Sequence, residues 1–207
     1  MTRRSFDLDA LRSALLEAQV YLFLDFDGVV ITSTSYRRYL EALWEARHPG
    51  QHLPKGNRLL EFEAELNEQE TPIWRMFDAE ACGWVQRFVT VTRAKIVLST
   101  SWRNVYLPEE NASFLRLNGI LKAPVGQTPS RGVTRGRGSQ IEAYCIEHGI
   151  DASQIVIAED EEDCHPYNPR VVRTTMDGPY PGFGEPQFHQ ALSLLGLTEL
   201  AVRLGSE

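Results

Sequence analysis

Lysine is nearly missing from this 207-residue chain: of 21 basic side chains only Lys55, Lys95 and Lys122 are lysines, the rest arginine. Arginine makes flat, bidentate contacts to phosphate and carboxylate that lysine cannot, although codon bias in a GC-rich genome produces the same excess. Cysteine is equally sparse. Cys82, Cys145 and Cys164 are odd in number and widely spaced, which excludes a disulfide framework and suggests a cytoplasmic protein with reduced thiols. No apolar run approaches the roughly 18–20 residues of a membrane span. The opening stretch places Arg3 and Arg4 before an amphipathic segment containing Asp7, Asp9 and Glu17, unlike a secretory signal. Internal repeats and low-complexity tracts are also absent. A net charge of −7 argues against gripping nucleic acid with the whole surface.

What is present is ordinary globular composition, 43% apolar and 24% charged, enough to build one core. Helical and strand patterns alternate along the chain, which predicts an α/β domain with a parallel sheet. Leu8, Leu11 and Leu15 mark a helix over 7–18, and Tyr21-Leu22-Phe23-Leu24 reads as a strand buried on both faces. Helices follow at 36–47, 57–68 and 78–89, the last with Asp78 as N-cap candidate. Lys95–Leu98 is a second strand, 111–119 a short helix, and 124–128 a short strand. A basic loop carrying Arg131, Arg135 and Arg137 then leads to Ser139-Gln-Ile-Glu142, which has the form of a capping box for a helix ending at Gly149. Ile155–Ala158 and Val171-Val172 read as strands, and a final helix starts at Pro186 and stops at Gly196.

Three of these strands end abruptly in polar residues: Asp25/Asp27, Ser99/Thr100 and Glu159/Asp160. Ligands of open parallel sheets bind outside the carboxyl ends of the strands, so the three ends predict one crevice. Two carboxylates at i, i+2 are costly side by side unless a cation lies between them or one is protonated. A hard divalent cation such as Mg²⁺ answers this, with Asp25, Asp27, Glu159, Asp160 and Asp163 as candidate ligands. Mg²⁺ also binds phosphate oxygens, so the expected ligand carries phosphate. Either Ser99 or Thr100 would donate a hydroxyl to it, and Arg137 would offset its charge.

The segment Leu24-Asp25-Phe26-Asp27-Gly28-Val29 resembles the first motif of the haloacid dehalogenase (HAD) superfamily, most of whose members are Mg²⁺-dependent phosphohydrolases. Ser99 or Thr100 matches its second motif, and Arg137, with Arg135 as alternate, its third. Glu159, Asp160 and Asp163 match the fourth. The fourth motif usually begins with aspartate. With Glu159 there, Asp160 is placed first as metal ligand, and Glu159 reaches the ion through water. Within the superfamily, Leu98–Arg103, Gly126–Pro129, Arg137–Ile141 and Ala158–Asp163 resemble the branch found in Swiss-army-knife RNA repair proteins. The resemblance covers about residues 20–195.

It implies a Rossmann-like doubly wound parallel sheet, with 1–30 and 77–207 as the core and 31–76 as a small helical cap insertion. It also implies covalent chemistry, in which Asp25 attacks phosphorus to give an aspartyl-phosphate and Asp27 serves as acid, then base. Dehalogenases of the superfamily lack the second aspartate, so Asp27 counts against that reaction. The expected substrate is a phosphorylated small molecule or a nucleic-acid terminus, with no membrane involved and protein partners unspecified. Two other readings stand beside this one: a catalytically weak phospholigand-binding module of the same fold, suggested by Glu159, and an RNA-end phosphatase in a repair complex. Arg37, Arg38 and Arg47 in the cap are candidates for substrate phosphates, each set against a plain solvated helix face. Trp102 reads equally as a core residue or a base-stacking one, and Cys164 and His165 read as ordinary residues on the pocket rim.

Overall fold

A computed structural model of the protein describes residues 19–67, 73–130, 136–162 and 164–198. The helix expected at 7–18, and the residues Arg131, Arg135 and Asp163, lie outside the described residues.

Among the described residues, five parallel strands form one sheet in the order β3-β2-β1-β4-β5, and six α-helices flank it. In chain order these are β1 (Tyr21–Leu24), α1 (Ser33–Arg47), α2 (Asn57–Asn67), α3 (Ala79–Thr92), β2 (Lys95–Leu98), α4 (Pro108–Leu117), β3 (Gly126–Gln127), α5 (Arg137–His148), β4 (Ile155–Glu159), β5 (Val171–Arg173) and α6 (Glu185–Leu194). This is the α/β architecture that the sequence predicts.

Strand residues alternate between the two faces of the sheet. Leu22, Leu24, Ile96, Leu98, Val156 and Ala158 meet Val85 and Phe88 of α3 and Phe188 and Leu192 of α6. Phe23, Val97, Ile155 and Ile157 point the other way, onto Ile141, Tyr144 and Cys145 of α5. Both faces are therefore dry, which is why the strands read as continuous apolar runs. Each fully buried Leu or Phe contributes about 1.5–3 kcal/mol relative to exposure. A separate cluster joins Tyr39, Leu40 and Trp44 of α1 to Phe62 and Leu66 of α2.

Register decides what stands at the sheet's carboxyl edge. Leu24 lies level with Leu98 on one side and with Ala158 on the other, so the next residues, Asp25, Ser99 and Glu159, emerge side by side. The backbone locks this edge: Asp25 N–H donates to the Ala158 carbonyl at 3.2 Å, and Ser99 N–H to the Leu24 carbonyl at 3.0 Å.

Several boundaries differ from expectation for local reasons. Helix α1 starts at Ser33 because Thr32 and Ser35 cap each other reciprocally. Asp78 does cap α3, accepting from Glu80 N–H at 3.0 Å and Ala81 N–H at 3.1 Å. Ser139 does not cap α5. That helix begins two residues earlier at Arg137, after Gly136, which makes no side-chain cap bond. The reason is tertiary: Arg137 is drawn into buried ion pairs, and Gly138 seats against the backbone of Cys164 and His165.

Candidate active site

Of the five carboxylates expected to hold metal, the fold brings three together. Asp25, Glu159 and Asp160 each offer an oxygen within 4.8 Å of the others. The Asp27 carboxylate is outside that group and instead accepts a hydrogen bond from the Trp102 indole, Nε1 to Oδ2, at 3.0 Å. Asp163 lies outside the described residues.

Arg137 enters from the first turn of α5 and is buried. Its Nε lies 2.6 Å from Glu159 Oε2, and one terminal nitrogen lies 3.4 Å from Asp25 Oδ2 and 3.5 Å from Glu161 Oε1. Burial works against the guanidinium charge, but Asp25, Glu159 and Glu161 outweigh it and hold the Arg137 pKa above its ordinary value. The other oxygen of Glu159, Oε1, accepts from Asp160 N–H at 3.1 Å and Glu161 N–H at 3.3 Å. Glu159 is thus held at both ends by protein groups, while Asp160 follows directly on the strand's exit.

The electrostatics are those of a crowded acid cluster. Burial, then the charge of Asp25, push the Glu159 carboxyl up, and Arg137 opposes them. Burial and Asp25 also raise Asp27 and Asp160 from their ordinary values, with the Trp102 bond pulling Asp27 partly back. With all three cluster acids ionised, one guanidinium leaves two negative charges uncompensated. Asp25 Oδ1, fully buried, has no hydrogen-bond partner among the described residues. An all-oxygen donor set, surplus negative charge and an unpartnered buried oxygen fit a hard divalent cation such as Mg²⁺.

Gly28 makes this geometry possible. Its φ is +67°, and a Cβ there would lie 2.3 Å from Asp160 Oδ2. Opposite, Ser99 and Thr100 are both buried. Ser99 Oγ has no partner among the described residues, and Thr100 Oγ1 accepts from Trp102 N–H at 3.3 Å, leaving its own proton to donate.

Sequence alone assigns Arg103 no role of its own and offers Trp102 only core packing or base stacking, of which the structure shows packing together with a bond to Asp27. Arg103, buried, donates to the Ser99, Thr100 and Pro129 carbonyls and to Gln140 Oε1, tying the exits of β2 and β3 to α5. Trp102 packs edge-on against Phe26, Phe77 and Phe114 while its N–H reaches Asp27. Their adjacency in Ser-Trp-Arg after a polar strand end was the available signal, but nothing local says what either one touches. Cys164 is a correction: it is fully buried beside α5 rather than on a rim, and burial pushes its thiol up to about 12. Arg37 pairs with Glu41 at 3.0 Å on an exposed face, and Arg47 stacks over Phe62. Arg38 borders a groove of about 620 Å³ with Trp84, Tyr180 and Phe183.

A parallel α/β sheet with an Asp-x-Asp strand end, a buried arginine and an acidic pair at the neighbouring strand end defines a HAD-type domain. Residues 21–186 match the family described as the HAD domain in Swiss Army Knife RNA repair proteins, and the chain belongs to that family. HAD domains are generally phosphohydrolases, and the acidic cluster is compatible with that class. No curated protein and no solved structure gives a significant match. No helix among the described residues is long and apolar enough to cross a membrane.

Proposed function

We propose that the protein is a Mg²⁺-dependent phosphohydrolase that cleaves a phosphomonoester through an aspartyl-phosphate on Asp25. The observation that carries this reading is the buried Asp25 carboxylate, with Oδ2 3.4 Å from Arg137, Oδ1 unpartnered, and Glu159 and Asp160 beside it. Asp25 and Asp160 would hold Mg²⁺, with Glu159, Asp27 and Asp163 as further contributors directly or through water. When bound, the ion supplies positive charge against the phosphoryl oxygens. Ser99, Thr100 and Arg137 bind and orient the same group. Asp27 carries the proton for the leaving oxygen and later takes one from water. Residues 31–76 act as the small helical lid, and the three free, buried thiols suit a reducing, cytoplasmic setting.

The substrate is a phosphorylated small molecule or a nucleic-acid terminus. The family's description favours a second, narrower reading, an RNA-end phosphatase working in a repair complex. Glu159, anchored by Arg137 and two backbone N–H groups, favours a third, a phospholigand-binding module of low activity.

Phosphate release from a panel of phosphomonoesters, with and without Mg²⁺, tests all three. The first predicts Mg²⁺-dependent release that Asp25→Asn abolishes; metal-independent turnover or full activity in that variant refutes it. A terminal phosphate preferred on an oligonucleotide over the mononucleotide supports the second. Background release with retained binding of Mg²⁺ and a phosphate analogue supports the third.

A further inference from the structure

The Trp102 indole sits at the junction of the two aspartates. Its N–H donates to Asp27 Oδ2 at 3.0 Å, and its ring meets Phe26, the residue between Asp25 and Asp27, at 5.5 Å and 74°. Three more rings close around it: Phe77 at 5.9 Å, Phe114 of α4 at 6.1 Å and Tyr106 at 5.5 Å. Its backbone is tied as well. Trp102 N–H donates to Thr100 Oγ1, and the Trp102 carbonyl accepts from Val105 N–H at 3.0 Å and Tyr106 N–H at 2.9 Å. Phe26, Phe77 and Phe114 pack edge-on, each adding about 0.5–1.5 kcal/mol beyond buried area, and Tyr106 lies tilted at 44°, so the indole is held in one orientation.

We propose that Trp102 is a positioning residue that selects which oxygen of Asp27 carries the proton given to the leaving group. This rests on the phosphatase reading above. An indole N–H is a donor only. Oδ2 is therefore engaged as an acceptor and is the less basic of the two oxygens, which leaves Oδ1 as the one that exchanges a proton with the leaving group. In the first half-reaction a bond forms between Asp25 oxygen and phosphorus while the bond from phosphorus to the leaving oxygen breaks. The electron pair of that bond stays on the leaving oxygen, which takes the proton from Asp27 Oδ1. In the second, water attacks phosphorus and gives a proton to Asp27 Oδ1. The bond from Asp25 oxygen to phosphorus breaks, its electrons return to the carboxylate, and inorganic phosphate departs. Trp102 touches none of the reacting atoms; it holds the group that does.

Need for that proton scales with the basicity of the leaving oxygen. An alkoxide requires it, whereas nitrophenolate departs largely without it. General acid catalysis contributes roughly 10²–10⁴-fold. Trp102→Phe keeps an aromatic ring in the cage and removes the N–H. The experiment compares kcat/KM on glycerol phosphate and on 4-nitrophenyl phosphate with Mg²⁺, because kcat/KM includes departure of the leaving group and excludes the shared hydrolysis step.

The loss in Trp102→Phe should be about tenfold or more greater on the alkyl ester than on the aryl ester, in the same direction as in Asp27→Asn. Phe114→Leu, which loosens the cage with the N–H intact, should shift the same ratio by less. It carries the test if Trp102→Phe fails to melt as a folded protein. Equal losses on both esters mean a merely structural role and overturn the inference alone. A wild-type protein that releases phosphate from no member of the phosphomonoester panel, oligonucleotide ends included, overturns the phosphatase reading and this inference with it.

Discussion

Arg137 Nε lies 2.6 Å from Glu159 Oε2, with both side chains almost fully buried. Neither charge has water to fall back on, so the pair matters more by its breakage than by its presence. Arg137→Met leaves Glu159 and Asp25 without their cation and should cost about 3–5 kcal/mol of stability. Adding Glu159→Leu to that variant should recover part of the loss. Urea denaturation of the two single variants and the double variant checks this, and simple additivity would contradict it.

Gly28→Ala should weaken Mg²⁺ binding as well as the fold. The backbone strain at φ +67° costs about 1–2 kcal/mol. The new Cβ, 2.3 Å from Asp160 Oδ2, also displaces that carboxylate. Gly50→Ala carries similar strain at φ +75° with nothing within 4 Å of the new atom. The Mg²⁺ concentration for half-maximal activity should rise about tenfold in the first, on the usual scale of 1.4 kcal/mol per decade. It should stay put in the second.

Gly138→Ala should separate α5 from the Cys164–His165 backbone. Its Cβ would lie 1.9 Å from the His165 carbonyl oxygen, and backbone cannot step aside as a side chain can. Overpacking of this kind costs about 1–3 kcal/mol or more, and displacing the neighbouring Arg137 should remove phosphate release. Gly83→Ala, exposed within α3 and with open space around it, should instead stabilise by about 0.5–1 kcal/mol. Thermal melts of both give opposite signs.

Without metal, stability should fall as pH rises. Asp27, Glu159 and Asp160 all have carboxyls raised by burial and by Asp25. A carboxyl raised on folding binds more protons in the native state than in the unfolded chain between the two values, so unfolding becomes easier as pH increases across that interval. For Glu159 burial and Asp25 drive the rise and Arg137 opposes it. The Tm should therefore drop between pH 6 and pH 8 in chelator, and Mg²⁺ should restore more of it at pH 8. Asp160→Asn should flatten the decline; an unchanged slope would remove the acid cluster as its cause.

Much of the fold was legible because its signals are local. Tyr21–Leu24, Lys95–Leu98 and Ile155–Ala158 announce themselves as dry strands, and the polar residues after them mark the carboxyl edge. The Asp78 cap was readable for the same reason, being a contact across three residues. Ser139 shows the limit. Its capping box is a sound local pattern, but Arg137 and Gly138 start α5 earlier through contacts with Asp25, Glu159 and the Cys164–His165 backbone.

By itself, the sequence determined the α/β alternation, the inventory of acids, hydroxyls and arginine at the strand ends, and the chemistry those groups suit. Only the tertiary structure decided that Leu24 stands level with Leu98 and Ala158, that Glu159 is ion-paired to Arg137 and bound by backbone donors, and that Trp102 reaches Asp27. The physical reason is range. Periodicity and residue chemistry are written within a few positions. Register, burial and hydrogen-bond choice are set by segments far apart in the chain, when packing brings them together.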